Sequence, residues 1–362
     1  MKLAIDVREW AGGLHTGIGR YLLHLLTGAV GRGWELLPVG DGQTCLPASL
    51  TQLDLHRLPD APGPLQDQWH LPRWLDVVAP DLFLSPYPKG PWIAPCPVAV
   101  TIHDLLYLDP RFAPSARNPG VRWAKRGYAA VSARRAALVM TDSTFSKAEI
   151  QQQLGIDSAE VFPIGVEPLA AGGLDREGLQ ARYGIPAQGG YLLWIGNFQP
   201  HKNVPFLLDL WQGLAGDYPH HHLVLAGRGG ERAAAIQRQI HERGIPRVVL
   251  TGSVEDADLV SLYRHAELFL FPSQIEGYGL PPLEAMVAGC PVMVSDRASL
   301  PEVVGKGGQV LPLRDEVWQE VVCQRLNSAP LQQKWRERGW ARARQLGAGR
   351  CADMVLDRLE AI

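Results

Sequence analysis

Cysteine is scarce and unorganised in this chain. Cys45, Cys96, Cys290, Cys323 and Cys351 are all it has in 362 residues, an odd number with no C-x-x-C spacing. That usage fits a reducing compartment and offers neither a disulfide framework nor a zinc site. Long apolar runs are missing as well: nothing approaches the roughly 18 residues needed to span a bilayer. The start, Met1-Lys2-Leu3-Ala4-Ile5-Asp6-Val7-Arg8, is too short in apolar length and too soon charged for a secretory leader, so a cytoplasmic location is expected. Charge of one sign is lacking too. With 35 Lys and Arg against 37 Asp and Glu, the formal net charge is −2, which argues against a protein held to nucleic acid by bulk attraction.

What is present is a double ladder. A chain of this length is long for one core, and its 46% apolar content lets each half bury its own. In the first half, short apolar strands are expected at 3–7, 35–39, 82–84, 98–102, 138–141 and 161–163, with helices over 19–30, 119–136 and 144–154. In the second half, strands are expected at 191–195, 222–226, 248–251, 268–271, 292–295 and 309–311. Helices over 204–214, 231–242, 256–265 and 283–287 fall between them, and the chain from about Leu331 to Ile362 reads as helical. Short apolar strands alternating with amphipathic helices imply parallel sheets covered on both faces. Between the halves, Gly165 to Gly190 holds Pro168, Gly172-Gly173, Pro186 and Gly189-Gly190, the punctuation of a linker. Ligands of open α/β sheets sit at the carboxyl ends of the strands, so two such sheets facing each other predict an interdomain cleft.

One segment carries most of the chemistry. After the strand Leu268-Phe269-Leu270-Phe271 comes Pro272-Ser273-Gln274-Ile275-Glu276-Gly277-Tyr278-Gly279-Leu280-Pro281-Pro282-Leu283-Glu284, leading into a helix. A glycine-bracketed turn at a helix N-terminus presents backbone N–H groups and a positive dipole end to an anion. A carboxylate on each side cannot hold phosphate, but it accepts hydrogen bonds from hydroxyls flanking a diphosphate, such as those of a hexose and a ribose. With Ala285-Met286, Gly289-Cys290-Pro291-Val292 and Leu300-Pro301-Glu302-Val303, the segment resembles family 4 of the retaining glycosyltransferases, nucleotide-sugar enzymes of the GT-B architecture. The resemblance runs through most of the chain and is strongest from about Tyr191 to Leu313.

The resemblance implies an α/β GT-B fold of two facing Rossmann-like domains. Residues 1–168 would form the N-terminal acceptor-binding domain, 169–190 the linker and 191–330 the nucleotide-sugar domain. Residues 331–362 would be C-terminal helices, the last packing back on the first domain. It assigns Glu284 to the ribose hydroxyls and Glu276 to the donor sugar, with the amides of Gly277, Tyr278, Gly279 and Leu280 near the phosphates or the hexose. It places Lys202, in Trp194-Ile195-Gly196-Asn197-Phe198-Gln199-Pro200-His201-Lys202, on the donor phosphates. The family often carries an arginine just after that glycine or just before that lysine. Here Asn197 and His201 stand instead, which shifts the burden to Lys202 and backbone amides. Arg228, in a glycine-rich strand-to-helix turn, is a further cleft-facing candidate, and the Ser253-Val254 backbone a nucleobase contact.

In the first half, Thr16-Gly17-Ile18-Gly19 lacks the spacing of a dinucleotide fingerprint. The resemblance brings Gly17 and Gly19 toward the diphosphate or the acceptor. It also places His103, at the end of the strand Ala99-Val100-Thr101-Ile102, beside the donor sugar, with Asp104 as its positioning partner. The His103-Asp104 pair could act as a general base, but with no carboxylate placed as a nucleophile a front-face mechanism is favoured, in which the leaving phosphate oxygen takes the acceptor proton. Neither metal nor cofactor is expected, since lysine and helix dipoles supply the positive charge.

Between Arg111 and Thr141 there is no Asp or Glu, but there are seven basic residues counting Arg111 itself. Arg122, Lys125 and Arg126 share a helical face near Arg117, which reads as a solvated surface or as a patch for anionic lipid or a polyprenyl-diphosphate-linked acceptor. Nucleic acid is not an expected partner. The function that follows is hexose transfer from a nucleotide-diphosphate sugar to a saccharide or lipid-linked saccharide in surface-polysaccharide synthesis, on the inner face of the plasma membrane if peripheral. GDP-mannose or GDP-rhamnose is favoured and UDP-sugars stay open. The alternatives are a nucleotide-sugar epimerase of the same fold and a non-catalytic nucleotide-sugar-binding subunit. Acceptor identity, linkage and oligomeric state are not written in the sequence.

Overall fold

The structure, a computed structural model, describes residues 1–12, 16–167 and 173–362. Its chain divides into two compact units, Met1–Gly165 with Leu346–Ile362, and Val166–Gln345. Pro168 and Gly172, read above as part of the seam, lie outside the described residues.

Unit 1 is built on strands β1 (Lys2–Asp6), β2 (Glu35–Gly40), β3 (His56–Arg57), β4 (Leu82–Ser85), β5 (Val98–Thr101), β6 (Leu138–Thr141) and β7 (Glu160–Val161). They form one parallel sheet in the order β3-β2-β1-β4-β5-β6-β7. Every residue of β4, β5 and β6 is buried, because helices cover both faces of a parallel sheet. Those helices are α1 (Gly17–Gly31), α2 (Gly63–Leu65), α3 (Leu71–Val78), α4 (Pro119–Arg135) and α5 (Thr144–Leu154). Side-chain caps set their starts: Thr16 accepts from the Gly19 N–H and Ser143 from the Ser146 N–H. A π-helical turn, Gln66–His70, joins α2 to α3 without a break. Sequence periodicity misses this helix, because the π turn shifts the 3.6-residue repeat and Pro64 and Pro72 interrupt it. Pro64 occupies a helix-start position, where no N–H is needed, while Pro72 follows just after the π turn.

Unit 2 has strands β8 (Gly190–Ile195), β9 (His221–Ala226), β10 (Val248–Gly252), β11 (Leu268–Phe271), β12 (Val292–Ser295) and β13 (Gln309–Leu311). They pair in parallel in the order β10-β9-β8-β11-β12-β13. Helices α6 (Arg176–Tyr183), α7 (Val204–Leu214), α8 (Gly230–Glu242), α9 (Asp256–His265), α10 (Leu280–Val287), α11 (Leu300–Val304), α12 (Asp315–Leu326) and α13 (Ala329–Gln345) accompany them. The span read as linker therefore contains a helix. α6 starts on Asp175, whose side chain accepts from the Gly178 N–H at 2.8 Å, and ends on Gly184 in the left-handed region. It buries only Leu179 and Tyr183, too little to register as periodicity.

The final helix, α14 (Ala348–Glu360), belongs to unit 1 and lies on α1. Gly28 permits the approach: a Cβ there would meet the Leu356 Cδ1 at 3.1 Å. Val355, Leu356 and Leu359 are buried, each worth roughly 2 kcal/mol. Arg358 pairs with Glu160 at 2.9 Å, and the Trp34 Nε1 donates to Glu360 at 3.1 Å. Among the described residues, no helix is long and apolar enough to cross a membrane.

Candidate active site

In unit 2 the chain lays down β8 first and builds outward, β9 and β10 on one side and β11 to β13 on the other. The loops leaving β8 and β11 diverge at their carboxyl ends, where a parallel sheet opens its binding crevice. The Gln274 N–H donates to the His201 carbonyl at 2.7 Å and ties the two loops together. In the first loop, a 3-10 turn, Pro200–Lys202, ends on Asn203 with φ 57° and leads into α7. In the second, Ser299 Oγ donates to the carbonyls of Glu276 and Tyr278 at 3.0 and 2.6 Å, fixing the turn that presents Glu276.

These loops bring Lys202 and Glu276 into contact. The Lys202 Nζ donates to both Glu276 carboxylate oxygens, at 2.7 and 2.9 Å, and the two side chains are 13% and 10% exposed. The ammonium also stands 5.2 Å from the Phe271 ring. An ammonium has three N–H groups and a carboxylate about four acceptor positions, so each keeps capacity beyond this pair.

Glu284 is buried on α10 and accepts from the Tyr263 hydroxyl at 2.9 Å, which fixes the carboxylate to α9. Gly279 precedes α10 with φ 113°, and a Cβ there would lie 2.8 Å from the Leu300 Cδ2. The α10 start has no side-chain cap, and Pro281 and Pro282 contribute no N–H. Gly277, Tyr278 and Gly279 are buried and Leu280 half-buried.

Glycine also sets the strand ends. The Gly196 N–H donates to the Ala226 carbonyl at 3.0 Å, and the Gly227 N–H to the Gly252 carbonyl at 2.9 Å. Gly227 has φ 141°, and a Cβ on it would sit 1.9 Å from the Gly196 carbonyl oxygen. Asn197, Arg228 and Ser253 lie exposed beyond β8, β9 and β10, with Val254 half-buried. Among the described residues, none of these four bonds to Lys202 or Glu276.

His201 faces inward beside this pair. Burial holds its imidazole down at about 4; Lys202 and Arg232 push the same way, against the pull of Glu276. It is therefore neutral near pH 7. The sequence does contain one D-x-D spacing, Asp256-Ala257-Asp258 in the first turn of α9. Asp258 is occupied by Tyr183 at 2.7 Å and Arg182 at 2.6 Å, a structural role. Among the described residues, no group of three His, Cys, Asp or Glu is placed to hold a metal ion.

In unit 1, His103 follows β5, and its Nδ1 lies 2.6 Å from the Asp142 Oδ2 at the end of β6. Burial opposes the imidazolium, but the carboxylates of Asp142, then Asp104 and Glu9, raise its pKa above the ordinary value. The Tyr21 ring meets the imidazole edge-on at 5.1 Å, while the His103 Nε2 is buried without a hydrogen-bond partner among the described residues. This corrects the expected positioning partner. Asp104 instead accepts from the Leu106 N–H at 2.9 Å. Side chains alternate along extended chain, so the neighbour in sequence points elsewhere. The register pairing Thr101 with Met140 carries two residues on to His103 and Asp142. That offset is the signal by which Asp142 was findable.

Gly19 is likewise reassigned. It is buried, its N–H goes to Thr16, and its carbonyl accepts from the Trp10 Nε1 at 3.2 Å, so its missing side chain serves packing. Gly17 stays exposed at the start of α1. Sequence reading also missed the network at the equivalent opening of this sheet, between β1 and β4. There the Arg8 guanidinium bonds to Asp6 at 2.5 Å, Asp67 at 2.6 Å and Gln66 at 3.1 Å. Asp6 and Asp67 are both buried. Asp6-Val7-Arg8, alternate positions leaving a strand, was its only trace.

Two parallel sheets of Rossmann-like type, with a lysine–carboxylate contact at the strand-end crevice of the second, define the class: an α/β protein of doubly wound type. The family description "Glycosyltransferase Family 4" matches residues 15–168, and "Glycosyl transferases group 1" matches 175–341. The O-antigen chain mannosyltransferase B of Escherichia coli is 31% identical over 273 residues, covering 71% of this chain and 68% of that protein. The E. coli serotype-specific mannosyltransferase WbdA is 35% identical over 133 residues, 36% of this chain but 16% of its own length. Among solved structures, Anabaena Alr3699/HepE in complex with UDP-glucose aligns at a TM-score of 0.80 and 19% identity, covering 100% of both chains, a likeness of fold. The chain belongs to glycosyltransferase family 4 and is a glycosyltransferase of GT-B fold.

Proposed function

We propose that this glycosyltransferase is a retaining hexosyltransferase that moves mannose from GDP-mannose onto a saccharide during surface-polysaccharide synthesis. GDP-rhamnose is the next donor in order and UDP-sugars follow. The observation that carries the reading is the Lys202–Glu276 contact at the crevice of the unit 2 sheet. A compact cation and a carboxylate in contact suit a diphosphate and the sugar it carries, side by side. Lys202 spends two N–H directions on Glu276 and has a third for a phosphate oxygen; Glu276 keeps acceptor positions for sugar hydroxyls. Glu284, held by Tyr263, is the partner for vicinal ribose hydroxyls. The preference for mannose rests on the names of the E. coli relatives.

In this reading the bond from the sugar C1 to the phosphate oxygen breaks as the acceptor oxygen bonds to C1 on the same face. The acceptor proton passes to the departing phosphate oxygen. His103 is assigned by the resemblance to a hydroxyl of the moving sugar, and Asp142 fixes its ring. The acceptor is a saccharide, with a polyprenyl-diphosphate-linked saccharide the form that a membrane-built polysaccharide requires.

The test is acceptor-dependent release of nucleotide from GDP-mannose, GDP-rhamnose and UDP-glucose, with product anomers read by NMR. Transfer from GDP-mannose with the α configuration kept, abolished by Glu276→Gln in a folded protein, is the expected result. Inversion, nucleotide release indifferent to acceptor, or full turnover by Glu276→Gln would overturn it.

A further inference from the structure

We infer that Glu9, with Tyr87, forms a subsite in unit 1 for the hydroxyls of an uncharged sugar, and so selects the acceptor by its terminal sugar and not by any phosphate it carries. The inference rests on the transfer reading above and adds residues that choose the second substrate. Its place is the opening between β1 and β4, where the strand order of this sheet reverses and a parallel sheet takes its ligand.

Glu9 is presented rigidly. It sits on a short 3-10 segment, Arg8–Gly12, directly after β1. On one side of it, Arg8 is held by Asp6 at 2.5 Å and Asp67 at 2.6 Å. On the other, Trp10 is fully buried, with its N–H on the Val7 carbonyl at 3.1 Å and its Nε1 on the Gly19 carbonyl at 3.2 Å. Between these anchors Glu9 is half-buried. Its carboxylate accepts from the Tyr87 hydroxyl at 3.0 Å and pairs with no cation among the described residues. A carboxylate has about four acceptor positions, so most of its capacity is left for donors from outside.

Two polar atoms without partners lie at the neighbouring strand ends. Ser85 ends β4 beside Asp6, one step on from the register that pairs Ile5 with Leu84. Its Oγ is buried with no hydrogen-bond partner among the described residues, like the His103 Nε2 beyond β5, the next strand. Leaving such a group unbonded costs about 1–3 kcal/mol, which a ligand hydroxyl relieves. The charge of Glu9 reaches these surroundings. Burial, then Asp6 and Glu9, push the Tyr87 phenol up; against burial, Glu9 joins Asp142 and Asp104 in raising His103. Glu9 thus stands near the histidine assigned to the moving sugar, where an acceptor must arrive.

Charge decides what Glu9 takes. Three carboxylates, Asp6, Glu9 and Asp67, stand around the opening against two cations, Arg8 and Lys89, which leaves one negative charge in excess. Arg8 is occupied by Asp6, Asp67 and Gln66. Lys89 is turned to Asp67 at 3.8 Å and to the Tyr87 ring at 4.9 Å. A phosphate would set like charge against a half-buried carboxylate. A sugar hydroxyl donates to it, and a site built to bond a hydroxyl discriminates strongly against ligands that lack one.

The test is acceptor kinetics of the full chain with GDP-mannose as donor. Two probes are uncharged, octyl α-mannoside and octyl β-N-acetylglucosaminide, and one is anionic, mannose 1-phosphate. Calorimetric binding of GDP-mannose without acceptor tests the transfer reading by itself. The native chain should use an octyl glycoside at lower KM than mannose 1-phosphate. Glu9→Gln, nearly isosteric, should raise that KM roughly tenfold with kcat and the donor KM little changed, and should not raise the KM for mannose 1-phosphate. Tyr87→Phe, which keeps the ring but releases Glu9, should raise the glycoside KM roughly threefold. Both variants should melt as the native chain does. A chain that binds GDP-mannose yet prefers mannose 1-phosphate, or uses neither octyl glycoside, overturns the subsite and leaves the donor reading standing. A native acceptor KM in Glu9→Gln, or a donor KM that rises as far as the acceptor KM, overturns it too.

Discussion

His103 and Asp142, 39 positions apart, meet at 2.6 Å across the ends of two neighbouring strands, while the aspartate next to His103 in sequence bonds a backbone N–H. The contact raises the His103 pKa. A base whose pKa is raised on folding stabilises the fold fully below its unfolded value near 6.5 and loses that stabilisation as pH rises through the folded value. Asp142→Asn should therefore destabilise the protein by roughly 1–3 kcal/mol at pH 6, with the difference shrinking as pH rises. The His103 midpoint, read by NMR on ring-labelled histidine, should drop in that variant and much less in Asp104→Asn. Equal drops would return the role to Asp104.

The Lys202–Glu276 pair makes a coupling prediction. Lys202→Ala leaves a mostly buried carboxylate without its cation and should cost about 2 kcal/mol. Combining Lys202→Met with Glu276→Gln should cost less than the sum of the single changes, a coupling of roughly 1 kcal/mol in chemical denaturation. Additive changes would mean that the contact carries no energy.

His201 behaves oppositely to His103. Its pKa is lowered to about 4, so the fold loses stability as pH falls from about 6.5 toward 4. His201→Asn should flatten that part of the pH–stability curve. An unchanged acid limb would show that other groups govern it.

Gly227→Ala should destabilise unit 2 by about 3 kcal/mol or more, since a side chain at φ 141° meets the Gly196 carbonyl. Gly216→Ala, with open space around it, should change the melting temperature little. Equal effects at both sites would remove the close backbone approach as a constraint.

Tyr263→Phe removes the hydroxyl that fixes Glu284 and should cost about 1 kcal/mol. If Glu284 reads the ribose, the variant should also raise the KM for donor with little change in kcat. A kcat loss at unchanged KM would argue for a different role.

Much of this was written locally. Apolar strands a few residues long, spaced by helical segments, dictate two parallel sheets, and the run from Glu276 to Glu284 marks its loop because glycine and proline chemistry is local. The α2–α3 helix stayed hidden because a π turn and two prolines break its period. Helix α6 stayed hidden because it buries two side chains.

By itself the sequence determined the strand and helix alternation, the family, and which loops carry carboxylates, lysine and glycine, since each depends on residues near one another in the chain. Only the tertiary structure decided who touches whom: Asp142 on His103, Glu276 on Lys202, Tyr263 on Glu284, Trp10 on Gly19. Those choices follow from strand order and register, which fix the direction of a side chain across neighbouring strands and leave no mark on adjacent residues.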